Sequence, residues 1–403
     1  MLHKSLLILG RQPALGRAEL ESLFGPDSLQ PVGQQAVACT LPWEEVPFGR
    51  LGGSIRLAKL LAIFDTLEWR EIARNLAKDL RTQLGALPEG KVKLGLSVFG
   101  LDVKPQQLIA TGLELKKVCR QAGRSARVVP NTGAELSSAQ VFHNQLTGDL
   151  GIELLLIKSG SQVYVAQTKK VQDIEAYARR DQQRPKRDAR VGMLPPKLAQ
   201  IIVNVATGTT DPLLGAVVYD PFCGTGVVLQ EASLMGFDIS GSDIDPRMVA
   251  YTDQNLQWML SLPQNRVVPH SPDNRWYSLA ELDATKDDFP SHLLNIIASE
   301  TYLGRPFTSS PSSEMLVQTV HDVNVIIKKF LQNVARQTKP GFRLCIAVPA
   351  WQTNQGLRHL PLLDHLNELG YNRVKFEYAK AEELVYHRPE QIVARELLVI
   401  TRK

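Results

Sequence analysis

The sequence predicts an α/β protein: a doubly wound, mostly parallel sheet over residues 193–403, preceded by an α+β region. Two observations predict the C-terminal part. Apolar strands alternate with helices from Met193 onward, and a glycine-rich loop joins the first of these strands to a helix. A third observation concerns the N-terminal part, where a strand of period-two hydrophobicity stands among helices and short strands in no regular alternation.

Length and composition exclude several classes of protein. The 403 residues predict two or three domains, and 44% hydrophobic with 22% charged residues is ordinary for a folded protein, not for a disordered or collagen-like one. The chain has no apolar run of the roughly 18 residues that a membrane span needs. The apolar stretch before Arg11 is too short for a secretory signal. Four widely spaced cysteines predict a reducing cytoplasm, not a disulfide scaffold or a zinc site.

The net charge of +5 is unevenly distributed. Residues 50–127 carry 15 Lys/Arg against 7 Asp/Glu, and residues 169–190 carry 8 against 4, so the remainder of the chain is acidic. Either segment alone is compatible with solvated helix faces. Together they favour a polyanionic partner, because neutralisation of phosphates drives nucleic-acid affinity.

The N-terminal half divides into a small α+β unit over residues 1–50 and a second domain over 51–168. Strand Leu6–Leu9 and helix Ala14–Phe24 form the first. In the second, apolar residues from Ile55 to Leu67 recur at mixed helical spacing and predict a helix. The following predicted elements are helix Ile72–Leu84, strand Lys91–Phe99, helix Pro105–Ala122, and a hairpin of Ile152–Lys158 with Gln162–Gln167.

Residues 169–192 are charged and contain Arg184-Pro185-Lys186-Arg187, which predicts a basic linker. The α/β domain then begins at Met193. Its predicted elements are strand Ala216–Tyr219, helix Val227–Met235, strand Phe237–Gly241, helix Pro246–Leu260, strand Leu293–Ala298, helix Ser313–Thr338 and strand Arg343–Val348.

The strongest chemical signal is Asp220-Pro221-Phe222-Cys223-Gly224-Thr225-Gly226, between a strand and a helix. Its two glycines allow a sharp turn that passes close to a ligand, at the sheet edge where open α/β folds bind nucleotides. The loop is neither a P-loop, since no Gly-Lys-Ser/Thr follows, nor a dinucleotide fingerprint, since Leu229 stands where the third glycine belongs. We therefore expect a ligand with a ribose and a base but without a pyrophosphate.

Three further carboxylates follow the next strands. Asp243 ends the strand Phe237–Gly241 and suits the two ribose hydroxyls. Asp245, directly before Pro246, is typical of a helix N-cap and is predicted to be structural. Asp283 either contacts the adenine or is an ordinary surface residue, and the sequence does not distinguish the two.

These residues resemble a known family. The glycine loop is similar to the first motif of S-adenosylmethionine-dependent amino-methyltransferases. The segment Met193-Leu-Pro-Pro-Lys-Leu-Ala-Gln-Ile-Ile-Val-Asn is similar to the lead-in of THUMP-containing tRNA guanosine-N2 methyltransferases. The resemblance implies a Rossmann-like methyltransferase domain over 193–403 and a THUMP-like RNA-binding domain over 51–168. It implies S-adenosyl-L-methionine as cofactor, bound by Asp220, Phe222, Gly224, Gly226, Asp243 and Asp283.

The chain departs from this family at the catalytic motif. The family places an Asp/Asn-Pro-Pro-Tyr motif after the fourth strand, whereas this chain has Ser299-Glu300-Thr301-Tyr302 followed by Gly304. Glu300 then occupies the acidic position and is expected to accept a hydrogen bond or a proton from an exocyclic amine, while Tyr302 stacks on a flipped base. The structural alternative for Glu300 is an ion pair with Arg305.

Other candidate residues are weaker. Trp351 follows a predicted strand and is expected to be a core or rim aromatic rather than a base-stacking one. Tyr386-His387-Arg388 lies in a predicted hairpin with no assigned role. Cys223 is expected to be a packing residue, and the eight histidines form no metal-binding motif.

The sequence therefore predicts an S-adenosylmethionine-dependent RNA methyltransferase that acts on tRNA, with an N2-methylated guanosine as the favoured product. Two alternatives stay open. One is an RNA-binding protein that retains the cofactor pocket without catalysis. The other is a DNA base amino-methyltransferase, since those enzymes share the glycine motif.

Overall fold

A computed structural model describes residues 2–188, 193–262, 277–290, 294–307, 309–388 and 390–403. The chain forms two compact units. The first unit comprises residues up to 13, 25–49 and 54–175, and the second unit comprises 14–24, 50–53 and 176–403. The chain passes between the units several times, which differs from the predicted divisions after residues 50, 168 and 192. The last residues of the predicted linker, 189–192, lie outside the described residues.

Seventeen strands and nine helices occur in these described ranges. The strands are β1 (Ser5–Leu9), β2 (Leu29–Val32), β3 (Ala36–Cys39), β4 (Ser54–Phe64), β5 (Val92–Phe99), β6 (Ala126–Val128), β7 (Gly151–Ser159), β8 (Gln162–Val171), β9 (Val217–Asp220), β10 (Asp238–Asp243), β11 (Tyr277–Glu281), β12 (Ile296–Glu300), β13 (Arg343–Thr353), β14 (Gly356–Arg358), β15 (Tyr371–Arg373), β16 (Val385–Tyr386) and β17 (Val393–Arg402). The helices are α1 (Pro13–Phe24), α2 (Trp69–Gln83), α3 (Pro105–Gln121), α4 (Ser138–His143), α5 (Ile174–Gln182), α6 (Pro196–Thr207), α7 (Val227–Leu234), α8 (Pro246–Ser261) and α9 (Ser313–Gln337). No helix among them combines the length and apolar character that crossing a membrane requires.

The first unit is built on one eight-stranded sheet in the order β2-β3-β1-β4-β8-β7-β5-β6. β5 pairs in parallel with β6 and β7, while the other neighbours are antiparallel. Apolar side chains of α2 and α3 pack against strand residues such as Leu96 and Leu154. The predicted strand near Lys91–Phe99, helix Pro105–Ala122 and hairpin after Ile152 are confirmed. The predicted separate unit over residues 1–50 is wrong, because β1–β3 belong to the same sheet as β4.

The predicted helix from Ile55 to Leu67 is also wrong, because β4 occupies most of this segment. β4 hydrogen-bonds on one side to β1 and on the other to β8, with register shifts against both. Both Leu57 and Ala58, on opposite faces of the strand, are fully buried. Buried residues in β4 run consecutively from Arg56 to Ala58, and the residues from Lys59 to Phe64 are partly or fully exposed, so the strand shows no period-two alternation and its pattern is easily mistaken for that of a helix.

Helix α1 packs within the second unit through Glu19, which is fully buried. The two carboxylate oxygens of Glu19 accept hydrogen bonds from the backbone N–H groups of Gly52 and Gly53, both at 2.8 Å. The amide of Asn204, on α6, donates another at 2.8 Å. Burial raises the pKa of Glu19 to about 7, although these hydrogen bonds act to lower it. The Glu19 carboxylate therefore links α1 and the segment at Gly52 and Gly53 to α6, although α1 and this segment are remote from α6 in sequence.

The second unit contains a sheet in the order β11-β10-β9-β12-β13-β17-β15. Neighbours from β11 to β13 are parallel, and β17 joins the sheet antiparallel to β13. Helices α6, α7 and α8 pack on one face, together with α1, and α9 packs on the other. Consecutive β9 residues Val218 and Tyr219 point to opposite faces. The predicted doubly wound, mostly parallel sheet is confirmed.

The predicted linker contains regular structure. Strand β8 continues to Val171, and α5 begins three residues later. Arg180 of α5 forms an ion pair with the buried Glu231 of α7, with Nε 2.7 Å from Oε1. Part of the positive charge that predicted a basic linker therefore holds α5 in place within the second unit.

Candidate active site

The carboxyl ends of neighbouring parallel strands bring four acidic side chains to one edge of the sheet. Asp220 ends β9, Asp243 ends β10, Asp283 follows β11 by two residues, and Glu300 ends β12. All four line a single cavity of about 710 Å³. The predicted site residues Phe222, Gly224 and Tyr302 line it as well. Tertiary structure therefore brings these predicted cofactor and catalytic residues together, whereas the predicted Gly226, at the start of α7, does not line the cavity.

The glycine loop between β9 and α7 has the backbone conformation that its sequence predicts. Gly224 and Gly226 have φ values of +53° and +82°, in the region that glycine adopts without strain. A Cβ on Gly226 would lie 2.9 Å from the methyl carbon of Thr252. The Thr252 hydroxyl donates a hydrogen bond to the carbonyl oxygen of Gly224 at 2.8 Å. Helix α8 therefore holds the loop closely enough that only glycine fits at position 226.

Asp220 is buried beneath this loop and held by two hydrogen bonds. Its Oδ1 accepts one from the Ser299 hydroxyl at 2.6 Å and one from the backbone N–H of Phe222 at 3.1 Å. Burial raises the pKa of Asp220 to about 7, and the nearby charges of Asp243 and Glu300 raise it further against the effect of these hydrogen bonds. A cationic ligand group in the cavity would relieve this accumulation of negative charge.

Asp243 connects β10 to the glycine loop. Its Oδ2 accepts a hydrogen bond from the backbone N–H of Gly224, and its Oδ1 accepts one from the backbone N–H of Asp245, both at 3.0 Å. Burial raises the pKa of Asp243, while these two bonds lower it. Asp245 caps α8 by accepting from the backbone N–H of Arg247 at 2.9 Å. The predicted structural role of Asp245 is confirmed.

Asp283 lines the cavity and also shapes its own loop. Its Oδ1 accepts hydrogen bonds from the backbone N–H and the hydroxyl of Thr285, at 2.9 and 2.7 Å. Burial acts to raise the pKa of Asp283, but Thr285 and Lys286 outweigh it and lower the pKa. The two predicted interpretations, a contact with the adenine and a surface loop residue, are therefore compatible. One oxygen of Asp283 orders its loop, and the same side chain lines the cavity.

Glu300 is paired with an arginine, but not with the one that the sequence suggested. Nε of Arg395, on β17, donates to Oε1 of Glu300 at 2.7 Å, and both side chains are largely buried. The predicted alternative pairing with Arg305 is wrong, because Arg305 is exposed two residues beyond Leu303 whereas the sheet places Arg395 beside Glu300.

Tyr302 and Gly304 form the turn that follows Glu300. The Tyr302 side chain lines the cavity and is 45% exposed, as a base-stacking residue must be. Gly304 has a φ of +87°, and a Cβ there would lie 2.7 Å from the methyl carbon of Thr319 on α9. The segment after Glu300 therefore approaches α9 closely at Gly304, where a side chain would collide with Thr319.

Burial tests two of the other predicted roles. Trp351 is fully buried, which confirms a core position. Cys223 is buried, and burial raises the pKa of its thiol well above its usual range, as expected of a packing residue. In the Tyr386–Arg388 hairpin, Nε of Arg388 donates to the Tyr386 hydroxyl at 2.9 Å. The described residues contain no cluster of ligands suited to a metal ion.

Sequence reasoning missed several residues of the site. Ile244, which follows Asp243, is 66% exposed at the cavity, and its position beside a predicted ligand was a usable signal. Asp322 and Ile326 line the cavity from one face of α9, and nothing in a long amphipathic helix distinguishes such residues. Arg395 lies 95 residues from Glu300, and only the sheet brings them together.

Part of the second unit matches a family of known proteins. Residues 184–261 match the family described as UPF0020, RMKL-like, methyltransferase domain. Over 66 residues the chain is 48% identical to the tRNA (guanine(10)-N2)-dimethyltransferase of Methanothermobacter thermautotrophicus and 47% identical to that of Methanocaldococcus jannaschii. Each match covers 16% of this chain and 18% of the relative, so this chain spans less than a fifth of the length of these two relatives.

Two solved structures share the fold along the whole chain. TrmN from Thermus thermophilus is 14% identical with a TM-score of 0.51, and the match covers all of both chains. A possible methylase from Clostridium difficile 630 is 10% identical with a TM-score of 0.52, and the match covers all of this chain and 98% of that one. At this level of identity the likeness shows the fold: the second unit has a Rossmann-like methyltransferase fold.

Proposed function

We propose that this protein transfers a methyl group from S-adenosyl-L-methionine to an exocyclic amine of RNA, with N2 of a guanosine in tRNA as the favoured target. The observation that carries the proposal is the shared cavity of the glycine loop, Asp220, Asp243 and Glu300 at the carboxyl edge of the sheet. The names of the relatives that match residues within the second unit support the same reaction and substrate.

The chemistry of the cavity fits this cofactor. S-adenosylmethionine supplies a methyl group on a positively charged sulfur, next to a charged amine. Asp220 is a carboxylate whose pKa is raised to about 7, chiefly by burial, and it would face the methionine end beside Gly224 and Gly226. Asp243 accepts hydrogen bonds from the backbones of Gly224, Asp245 and Ile244, which leaves an acceptor site on its carboxylate for a ribose hydroxyl. Asp283 would border the adenine, as the family resemblance implies, and Phe222 lines the same cavity.

The chain itself would contribute mainly positioning to the reaction. Oε1 of Glu300 accepts from Arg395, and Oε2 accepts no hydrogen bond within the described ranges. We assign Oε2 as the acceptor for the target amine. It would orient the target nitrogen and take the proton that this nitrogen releases when it is methylated, while the bound cofactor would supply the methyl group. Tyr302 holds the target base by stacking once the base leaves its own helix.

The first unit would supply the affinity for RNA, because it contains most of residues 51–168, which are predicted to form a THUMP-like domain, together with the flanking Trp43, Lys169 and Lys170. Exposed Lys59 lies beside Lys169, whose pKa is lowered by burial and by the charge of Lys59. The amines of Lys169 and Lys170 both lie 5.9 Å from the ring of Trp43. Clustered lysines next to an aromatic ring suit a phosphate backbone with an unstacked base. The four cysteines are buried thiols, compatible with the reducing cytoplasm that we predict.

The deciding experiment measures methyl transfer from labelled cofactor to tRNA that lacks the modification, followed by mass spectrometry of the nucleosides. We expect N2-methylguanosine from the wild-type protein and at least a 100-fold lower rate from Glu300→Ala. Cofactor binding without transfer to any RNA would instead support the binding protein that lacks catalysis. Transfer to DNA alone would support the DNA amino-methyltransferase.

A further inference from the structure

We propose that Arg395 is a positioning residue for the reaction: it fixes the carboxylate of Glu300 so that Oε2 faces the target amine. This inference rests on the proposed function. It starts from the point at which this chain departs from the family that it resembles. At its catalytic corner this chain lacks both prolines of the family motif, and its acidic residue is the longer glutamate, Glu300.

A glutamate at this position needs a restraint that an aspartate does not. The additional methylene of Glu300 adds a rotatable bond, and the terminal torsion of a glutamate is broad. An acceptor that samples many orientations holds the amine less often in line with the methyl group, and errors of about 1 Å in such geometry cost roughly 100-fold in rate. The ion pair with Arg395 supplies this restraint, because Nε donates to Oε1 at 2.7 Å.

The backbone next to Glu300 is also held without prolines. The N–H and the hydroxyl of Thr301 both donate to the carbonyl oxygen of Ala347 on β13, at 3.0 and 3.1 Å. Thr301 is 3% exposed. The backbone of the corner is therefore ordered by hydrogen bonds to the neighbouring strand, and the side chain of Glu300 needs a restraint of its own.

Arg395 is rigid enough to act as the restraint. It lies within β17, where its backbone stands opposite Pro349 of β13 and Tyr386 of β16, and its side chain is 6% exposed. Its NH1 also donates to the side chain of Gln391 at 3.4 Å. The guanidinium therefore has two partners, and its geometry determines which oxygen of Glu300 remains for the substrate.

The same strand provides a matched control. Glu396, the next residue, is a buried carboxylate that accepts from NH2 of Arg373 at 3.3 Å. Neither Arg373 nor Glu396 lines the cavity. Replacing Arg373 removes an arginine–glutamate pair from the same sheet without touching Glu300, so it reports the effect of weakening the sheet alone.

The test is a double-mutant cycle on methyl transfer to tRNA, with Arg395→Met, Glu300→Gln and both together. We expect Arg395→Met to lower kcat about 10- to 100-fold, with KM for tRNA and the calorimetric Kd of the cofactor changed less than about threefold. The double variant should be no slower than Glu300→Gln, because Arg395 acts only through Glu300. Arg395→Lys should restore part of kcat, and Arg373→Met should leave kcat within about twofold of the wild type.

Each other outcome has a distinct meaning. The positioning role is overturned if the losses of kcat in the two single variants add up in the double variant, or if Arg373→Met loses as much kcat as Arg395→Met. Neither result contradicts the proposed function. If Arg395→Met unfolds, the comparison of Arg395→Lys with Arg373→Lys decides, and equal rates in these two variants reject the role of Arg395. A wild-type protein that binds the cofactor but transfers no methyl group to RNA overturns the proposed function itself.

Discussion

The backbone N–H of Gly224 donates to the carboxylate of Asp243 across 3.0 Å, so the acidic residue at the end of β10 holds the glycine loop that follows β9. Asp243 also accepts from the backbone of Asp245 and thereby orders the start of α8. One carboxylate therefore fixes two walls of the cavity and is proposed to bind the ribose as well.

Asp243→Ala should abolish cofactor binding, because it removes the proposed ribose ligand and releases Gly224 at the same time. Isothermal titration calorimetry with S-adenosylmethionine measures this directly. Asp238→Ala is the control, because Asp238 lies at the opposite end of the same strand and outside the cavity. A Kd unchanged in Asp243→Ala would reject the assigned cofactor site.

Cofactor affinity should rise between pH 5.5 and 7.5. Asp220 has a pKa of about 7 in the folded protein, raised by burial from an ordinary 3.8, and a cationic ligand prefers its ionised form. The calorimetric Kd should therefore fall as pH rises through this range, and Asp220→Asn should bind weakly with no such dependence. An unchanged Kd across the range in the wild type would contradict a direct role of Asp220.

The free energy of unfolding of the protein without cofactor should fall as pH rises, whereas cofactor affinity rises. The unfolded chain releases the Asp220 proton near pH 3.8, while the folded protein retains it to about pH 7, so this group makes the free energy of unfolding fall as pH rises between these values. Glu19 contributes in the same direction for the same reason. Urea unfolding at pH 5 and pH 8 should show a smaller difference in Asp220→Asn than in the wild type. A difference as large as that of the wild type would mean that Asp220 is already ionised when the cavity is empty.

Gly226→Ala should destabilise the second unit by about 1–3 kcal/mol and weaken cofactor binding, because its φ is positive and its Cβ would contact Thr252. Gly215→Ala is the control that measures the cost of a positive φ alone, because φ is +72° at Gly215 and no neighbouring atom lies within 4 Å of the added Cβ. Thermal unfolding and calorimetry of the two variants measure the difference. Equal losses of stability would mean that contact with Thr252 has no energetic effect.

Tyr302→Ala should lower kcat/KM for tRNA about 10- to 100-fold, since stacking on a base contributes roughly 1–3 kcal/mol. Tyr302→Phe should retain most of the activity, because the ring and not the hydroxyl does the stacking. The Kd of the cofactor should be the same in both variants. If Tyr302→Phe loses as much as Tyr302→Ala, the hydroxyl has the role instead and the stacking assignment fails.

Local patterns predicted the parts of the molecule whose structure depends on neighbours in sequence. The strand at Lys91–Phe99, the hairpin between β7 and β8, and the N-cap at Asp245 are all local features, and each is confirmed. The pattern failed for β4, because its apolar residues do not alternate with polar ones, although the segment pairs as a strand with β1 and β8.

The amino-acid sequence by itself determined the doubly wound class, the glycine loop and the set of acidic residues that follow successive strands, because parallel strands bring their carboxyl ends to one edge. Only the tertiary structure decided which arginine pairs with Glu300 and where Glu19 is buried. Both depend on contacts between segments remote along the chain, and the free energy of burying a charged group depends on the partners that folding brings to it.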